Sequence, residues 1–324
     1  MPTSNPLATL VRELILAGGM IGLIVMAMWA HTGSMPPLVV VESSSMVHDE
    51  KGEVGSIDAG DLVLVHDPKG KKIVTFAEAT DPRHSDFGYT SHGLAGDVII
   101  YERNGESDST PIIHRAILRV KINRTMEPDN LGNCEQGTFD SQSNLCIISW
   151  DIPGTKILDQ EKINLKFDGI NASGIYDCKI DTAGHGDVSL SFSQWRPRHP
   201  GFITLGDNNR CSDDQGAAVT STGIHSSSSG LIGPVRAEWV IGISGAEVPW
   251  LGIVKLMVSG EGSPGISQVP GSSFIYLIVL VGSILIAPVL IDPIARKLIH
   301  SSPDVIESER EAALDIVLKP QEEE

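Results

Sequence analysis

A chain of 324 residues, 41% hydrophobic and 20% charged, has the composition of a folded protein and room for one or two domains with a sizeable core. Against 24 Lys and Arg stand 41 Asp and Glu, a net charge of −17 that argues against non-specific binding to nucleic acid or anionic lipid through the soluble part.

Residues 1–13 form a short N-terminal segment, and an uncharged apolar run then extends from Leu14 to Ala30 (LILAGGMIGLIVMAMWA). About 17–25 such residues cross a bilayer as a helix. The run exceeds the apolar region of a cleaved leader, Arg12 before it is offset by Glu13, and no small-x-small exit site follows. Residues 14–31 therefore read as an uncleaved transmembrane helix. From 32 to 121 the chain carries β-branched and aliphatic runs of strand length: Val39–Val41, Asp61–His66, Asp97–Glu102 and Ile112–Val120. Asn104-Gly105 is a turn signal that predicts an antiparallel hairpin between the last two. Residues 122–200 are rich in turn residues, hold three of the four cysteines, and read as an insertion with two N-glycosylation triplets, at Asn123 and Asn171. Strand runs resume over 201–258 at Gly201–Leu205, Trp239–Ile243 and Val254–Val258. Residues 259–273 (SGEGSPGISQVPGSS) read as a linker. A second uncharged apolar run, Phe274–Ile291, is followed by Arg296 and Lys297, and residues 292–324 form an acidic tail. The fold class is mainly β, anchored by an N-terminal and a C-terminal transmembrane helix.

Two spans place both termini on one side, and Arg12, Arg296 and Lys297 make that side cytoplasmic. The β domain then faces outward, where Cys134, Cys146, Cys178 and Cys211 are expected to form two disulfides. Three pairings are open, with Cys134–Cys146 closing the shortest loop. No C-x-x-C pair supports a zinc site.

Three stretches carry candidate chemistry. Ser43-Ser44-Ser45-Met46 follows the first strand run and, only about fifteen residues from the first anchor, stays near the membrane surface. A serine hydroxyl needs a base to act as nucleophile. In PIIHRAILRV, alternation puts His114 on one face with Ile112, Ala116, Leu118 and Val120, and points Arg115 and Arg119 the other way. An imidazole there is either a core histidine or a catalytic base. The third stretch, GDNNRCSDD (206–214), offers Asp207, Asp213 and Asp214, one of which would orient the imidazole as in a Ser-His-Asp site. It lacks the spacing of an EF-hand calcium loop.

Together these stretches resemble the signal peptidase I family. ESSSM resembles its nucleophile motif, AGDLVLV and AGDVIIYE its strand openings, PIIHRAI its base-bearing strand, TLGDNNRCSDD its last catalytic motif, and Pro249-Trp250-Leu251-Gly252 its closing stretch. No lysine lies between Lys72 and Lys121, so the resemblance is to the archaeal and endoplasmic-reticulum branch, which uses histidine as the base. It implies a membrane-bound serine endopeptidase that removes signal peptides from secreted preproteins. Ser45 would be the nucleophile, His114 the general base, Asp213 the orienting carboxylate and Asp207 a second important acid. The oxyanion would be held by the Ser45 backbone and the Ser43 hydroxyl. No cofactor, metal or nucleic acid is implied. The expected partners are signal peptides, the lipid bilayer and, as a candidate, the secretion translocon. The expected location is the cell membrane, multi-pass, with the catalytic domain on the extracytoplasmic side. Ser44 replaces the family's usual glycine, and the insertion exceeds its usual short connection. Two rival readings are an inactive assembly module on the same fold and a surface β domain in which Ser45 and His114 need not be neighbours.

Overall fold

The computed structural model describes residues 6–47, 55–167, 170–171, 174–175, 190–208, 219–220, 223–224, 234–259, 264–300, 307 and 310–311. The chain forms two units, one running to Pro270 and one starting at Gly271.

The first unit opens with helix α1 (Pro6–Thr32), whose interior is free of proline and, from Leu14, of charge. It stops where Gly33 turns left-handed (φ 74°) and donates its N–H to Trp29 O at 2.8 Å, a glycine cap that few other residues accommodate. The span Leu10–Thr32 is long and apolar enough to cross a membrane, and no residue of it before Thr32 is buried in the protein.

Ten strands follow: β1 (Leu38–Val40), β2 (Leu62–His66), β3 (Val98–Tyr101), β4 (Ile112–Met126), β5 (Thr138–Asp140), β6 (Leu145–Asp151), β7 (Ile163–Phe167), β8 (Leu190–Trp195), β9 (Gly201–Leu205) and β10 (Val240–Val248). Two-residue strands supplement them at Thr90–Ser91, Leu94–Ala95, Ile170–Asn171, Gly174–Ile175, Val219–Thr220 and Gly223–Ile224. An eight-stranded sheet runs β1-β2-β10-β3-β4-β6-β5, with β9 also on β4. Every pair in it is antiparallel. The hairpin expected at Asn104-Gly105 is the β3–β4 pair, with Asn104 at φ 51°. The protein is thus mainly β, with apolar helices near both ends.

β4 is the organising strand. At about 3.3 Å per residue its 15 residues reach roughly 50 Å. Its first half pairs with β3 and β9, and its second half leaves the central strands to pair with β6. The described residues of the segment 122–200 do not form a core of their own. Ile147, Trp150, Ile152, Ile163 and Phe192 share one core with Phe76, Ile117, Leu118, Ile203 and Leu205. Gly154 (φ 78°) lies so close to helix α2 (Phe76–Thr80) that a Cβ would sit 2.4 Å from Ala77 C.

Cys134 and Cys146 are disulfide-bonded with their Cα atoms 5.6 Å apart, tying the loop before β5 to β6. Cys178 and Cys211 lie outside the described residues. Closing a loop of 12 residues limits the unfolded chain by roughly 2–3 kcal/mol. Replacing both Cys134 and Cys146 by serine is therefore expected to lower the thermal midpoint by several degrees, read by calorimetry.

Local readings needed correction in two places. Val254–Val258, read as a strand run, belongs to helix α3 (Ile253–Val258), which buries Ile253 and Leu256 one turn apart and exposes Val254, Met257 and Val258. The presumed linker holds a 3₁₀ turn at Pro264–Gln268, with Gly265 and Val269 buried. The face of β4 opposite His114, to which alternation assigns Arg115, is interior as well: Arg115 is fully buried and Ile117 lies in the shared core.

The second unit contains helix α4 (Gly271–His300), whose window Gly271–Ile291 is again long and apolar enough to span a membrane.

Candidate active site

Two copies of Ala-Gly-Asp start the central strands and behave alike. Gly60 (φ 99°) and Gly96 (φ 82°) adopt backbones that favour glycine and meet neighbours closely: a Cβ would lie 2.6 Å from Ile253 Cγ1 and 2.5 Å from Phe76 N. Each following aspartate folds back to accept backbone N–H groups. Asp61 takes those of Asp58 at 2.9 Å and Trp250 at 2.8 Å. Asp97 takes that of Val74 at 2.7 Å and the Tyr89 hydroxyl at 2.6 Å. Burial pushes both carboxyls above the ordinary range, and these hydrogen bonds partly offset it. The two turns fix the ends of β2 and β3.

The serine turn, Ser43–Ser45, hangs between β1 and β2. Met46 is 1% exposed and packs with Val41, Ile57, Val63 and Val98, so its side chain anchors the turn and leaves the preceding serines half-buried at the surface. Ser45 Oγ stands 2.9 Å from His114 Nε2 and 3.1 Å from Ser43 Oγ. His114 is 7% exposed and is held opposite Ile99 by the β3–β4 pairing. Among the described residues none accepts from the Ser45 N–H.

Arg115, the next residue on β4, forms a two-pronged ion pair with Asp207: Nε to Oδ1 at 2.9 Å and Nη2 to Oδ2 at 2.7 Å, with both side chains 0% exposed. Its remaining prong, Nη1, donates to the carbonyls of Ser91 at 2.9 Å and Gly96 at 2.8 Å, and more distantly to those of Leu94 and Ala95. A guanidinium can be kept in the interior only when its donors are matched in this way. Asp207 thus clamps the loop after β9 to the strand that carries the histidine. Asn208 carries the clamp to the serine turn: its N–H donates to Ser45 O at 2.8 Å and its Nδ2 to Ser44 O at 3.0 Å. Asp213 and Asp214 lie outside the described residues.

Ser44 does not crowd the turn. Its backbone lies outside the left-handed region, and its hydroxyl donates to Gln268 Oε1 at 3.2 Å. Neither Asn208 nor Gln268 was singled out from sequence. Asn208 had a signal in the GDNN turn, whereas Gln268 sits in a Gly- and Ser-rich stretch with none.

Beside Ser45 and His114 opens a cleft of about 840 Å³, walled by β1 and by Ile100, Ile112, Ile113 and Ile241, with Lys255 and Gln268 at its rim. β1 is the terminal strand of its sheet, so one side of its backbone is available to a further strand. A nucleophile–base pair next to an apolar trough with an open strand edge can perform acyl transfer on an extended peptide. The chain matches no protein-family model, and it matches no curated protein sequence.

Proposed function

We propose that this chain is a membrane-bound serine endopeptidase of the signal peptidase I type that removes signal peptides from secreted preproteins. The observation that carries the reading is the 2.9 Å contact of Ser45 Oγ with His114 Nε2, between residues 69 apart in sequence, at the edge of an apolar cleft. His114 takes the Ser45 proton as Oγ attacks the scissile carbonyl. The Ser45 N–H and the Ser43 hydroxyl stabilise the oxyanion, each such donor contributing about 3–4 kcal/mol. His114 protonates the leaving amine, then activates the water that releases the acyl-enzyme. Asp213 orients the imidazole, and Asp207 acts through its clamp on Arg115. Small substrate residues lie against the isoleucines of the cleft, with the peptide added as a strand beside β1.

Both apolar helices cross the membrane, the termini are cytoplasmic, and the β domain works outside. The Cys134–Cys146 disulfide suits that oxidising side. The test uses full-length protein in detergent with a synthetic preprotein whose leader ends in small residues. Cleavage after the leader, and covalent labelling of Ser45 by a fluorophosphonate located by mass spectrometry, are the expected results. Neither cleavage nor labelling would overturn the proposal in favour of an inactive assembly module.

A further inference from the structure

We infer that Gln268 is a positioning residue for the nucleophile turn, holding the peptide plane before Ser44 so that the Ser45 amide stays available to the oxyanion. The inference rests on the reading of Ser45 as nucleophile. Gln268 Oε1 accepts the Ser44 N–H at 2.8 Å and the Ser44 hydroxyl at 3.2 Å. The Ser44 carbonyl, on the next peptide plane, accepts Asn208 Nδ2 at 3.0 Å. A trans peptide points its C=O and N–H in opposite directions, so the plane held through Ser44 O is the plane that aims the Ser45 N–H. Gln268 fixes one side of the Ser44 Cα and Asn208 the other. Together they set both soft dihedrals of that residue.

The backbone that presents Gln268 is itself seated. Gly265 approaches Glu42 so closely that a Cβ would stand 3.1 Å from Glu42 O, and Val269 packs on Gly60, where a Cβ would stand 3.3 Å from Val269 Cγ2. Both residues are buried, while Gln268 itself is exposed at the cleft rim. Its amide can therefore be removed without opening the core. Water would then take over the Ser44 N–H, and the turn would sample orientations in which the Ser45 N–H misses the oxyanion. Because that donor acts in the transition state, the loss falls on kcat and leaves KM nearly alone.

The test compares full-length wild type with Gln268→Met, which keeps length but has no oxygen, and Gln268→Glu, which keeps the acceptor. Loss of one ordinary hydrogen bond corresponds to a fall in kcat of about 5- to 10-fold in Gln268→Met, with KM within about twofold and the thermal midpoint unchanged. Amide hydrogen exchange at Ser44 is expected to accelerate in Gln268→Met and to stay slow in Gln268→Glu. Wild-type cleavage with an unimpaired Gln268→Met, or equal Ser44 exchange in all three proteins, overturns the positioning role alone. A wild type that cleaves nothing removes the protease reading and this role together.

Discussion

Alanine at Ser45 or at His114 is expected to slow leader-peptide cleavage by roughly 10⁴- to 10⁶-fold, and the double replacement to be no slower than either single one. The lack of additivity follows from the 2.9 Å contact. A serine without its base keeps its proton, and a base without its serine has no nucleophile to activate. Each single change therefore removes the whole acyl-transfer route. What survives is cleavage by water in a cleft that still binds the peptide. Folding should persist, since Ser45 is only half-buried and the turn is anchored by Met46, Asn208 and Gln268 rather than by the side chains of Ser45 and His114. Single-turnover rates with thermal midpoints as controls decide the matter. Either single variant within tenfold of wild type, or losses that multiply in the double variant, would remove Ser45 and His114 from the chemistry.

The second large effect concerns stability. Asp207→Asn leaves the Arg115 guanidinium buried and uncompensated, a change that typically costs about 3–5 kcal/mol. For a domain of this size that corresponds to a fall in the thermal midpoint of about 6–20 °C. Arg115→Met should also destabilise, because it strands the carbonyls of Ser91 and Gly96 as well as the carboxylate. Combining Arg115→Met with Asp207→Asn is expected to cost clearly less than the sum of the two single changes, with a coupling of about 2 kcal/mol or more, since two partners that need each other leave together. Cleavage measured well below the midpoint should remain far above that of Ser45→Ala. Additive losses in denaturant unfolding would show that the pair is not the clamp its geometry suggests.

The strands that hold the site were legible because they carry dense β-branched runs closed by Ala-Gly-Asp and Asn-Gly turns. The closeness of Ser45 and His114 was not legible from periodicity. It came from the family resemblance of their motifs, and alternation alone left His114 as either base or core residue. Alternation set Arg115 on the face opposite His114 but gave no sign that this face is buried too, with the guanidinium satisfied by partners distant in sequence. Helix α2 is five residues long, too short for a 3.6-residue period, yet its capping box was written as Thr75-x-x-Glu78. α3 shows the usual ambiguity of a short apolar run, in which Ile253 and Leu256 fit a helix while Val254, Leu256 and Val258 fit a strand. Gln268 was invisible because a lone glutamine among glycines and serines gains meaning only from what it touches.

β4 also works as an index. Because side chains alternate along a strand, a slip of one residue would swap His114 for Arg115 opposite Ser45, exchanging a base for a fixed cation. Strand pairing alone resists such a slip weakly, and the conserved spacing of hydrogen bonds would be regained after it. Here the far half of the same strand is keyed to β6, whose Cys146 is bolted to Cys134 and whose Trp150 is sunk in the shared core. Register shifts between Ile122 and Arg124 and between Arg124 and Thr125 interrupt that pairing. The disulfide and the buried tryptophan thus give the strand that carries His114 a fixed reference beyond the site: a slip would have to drag both along with it.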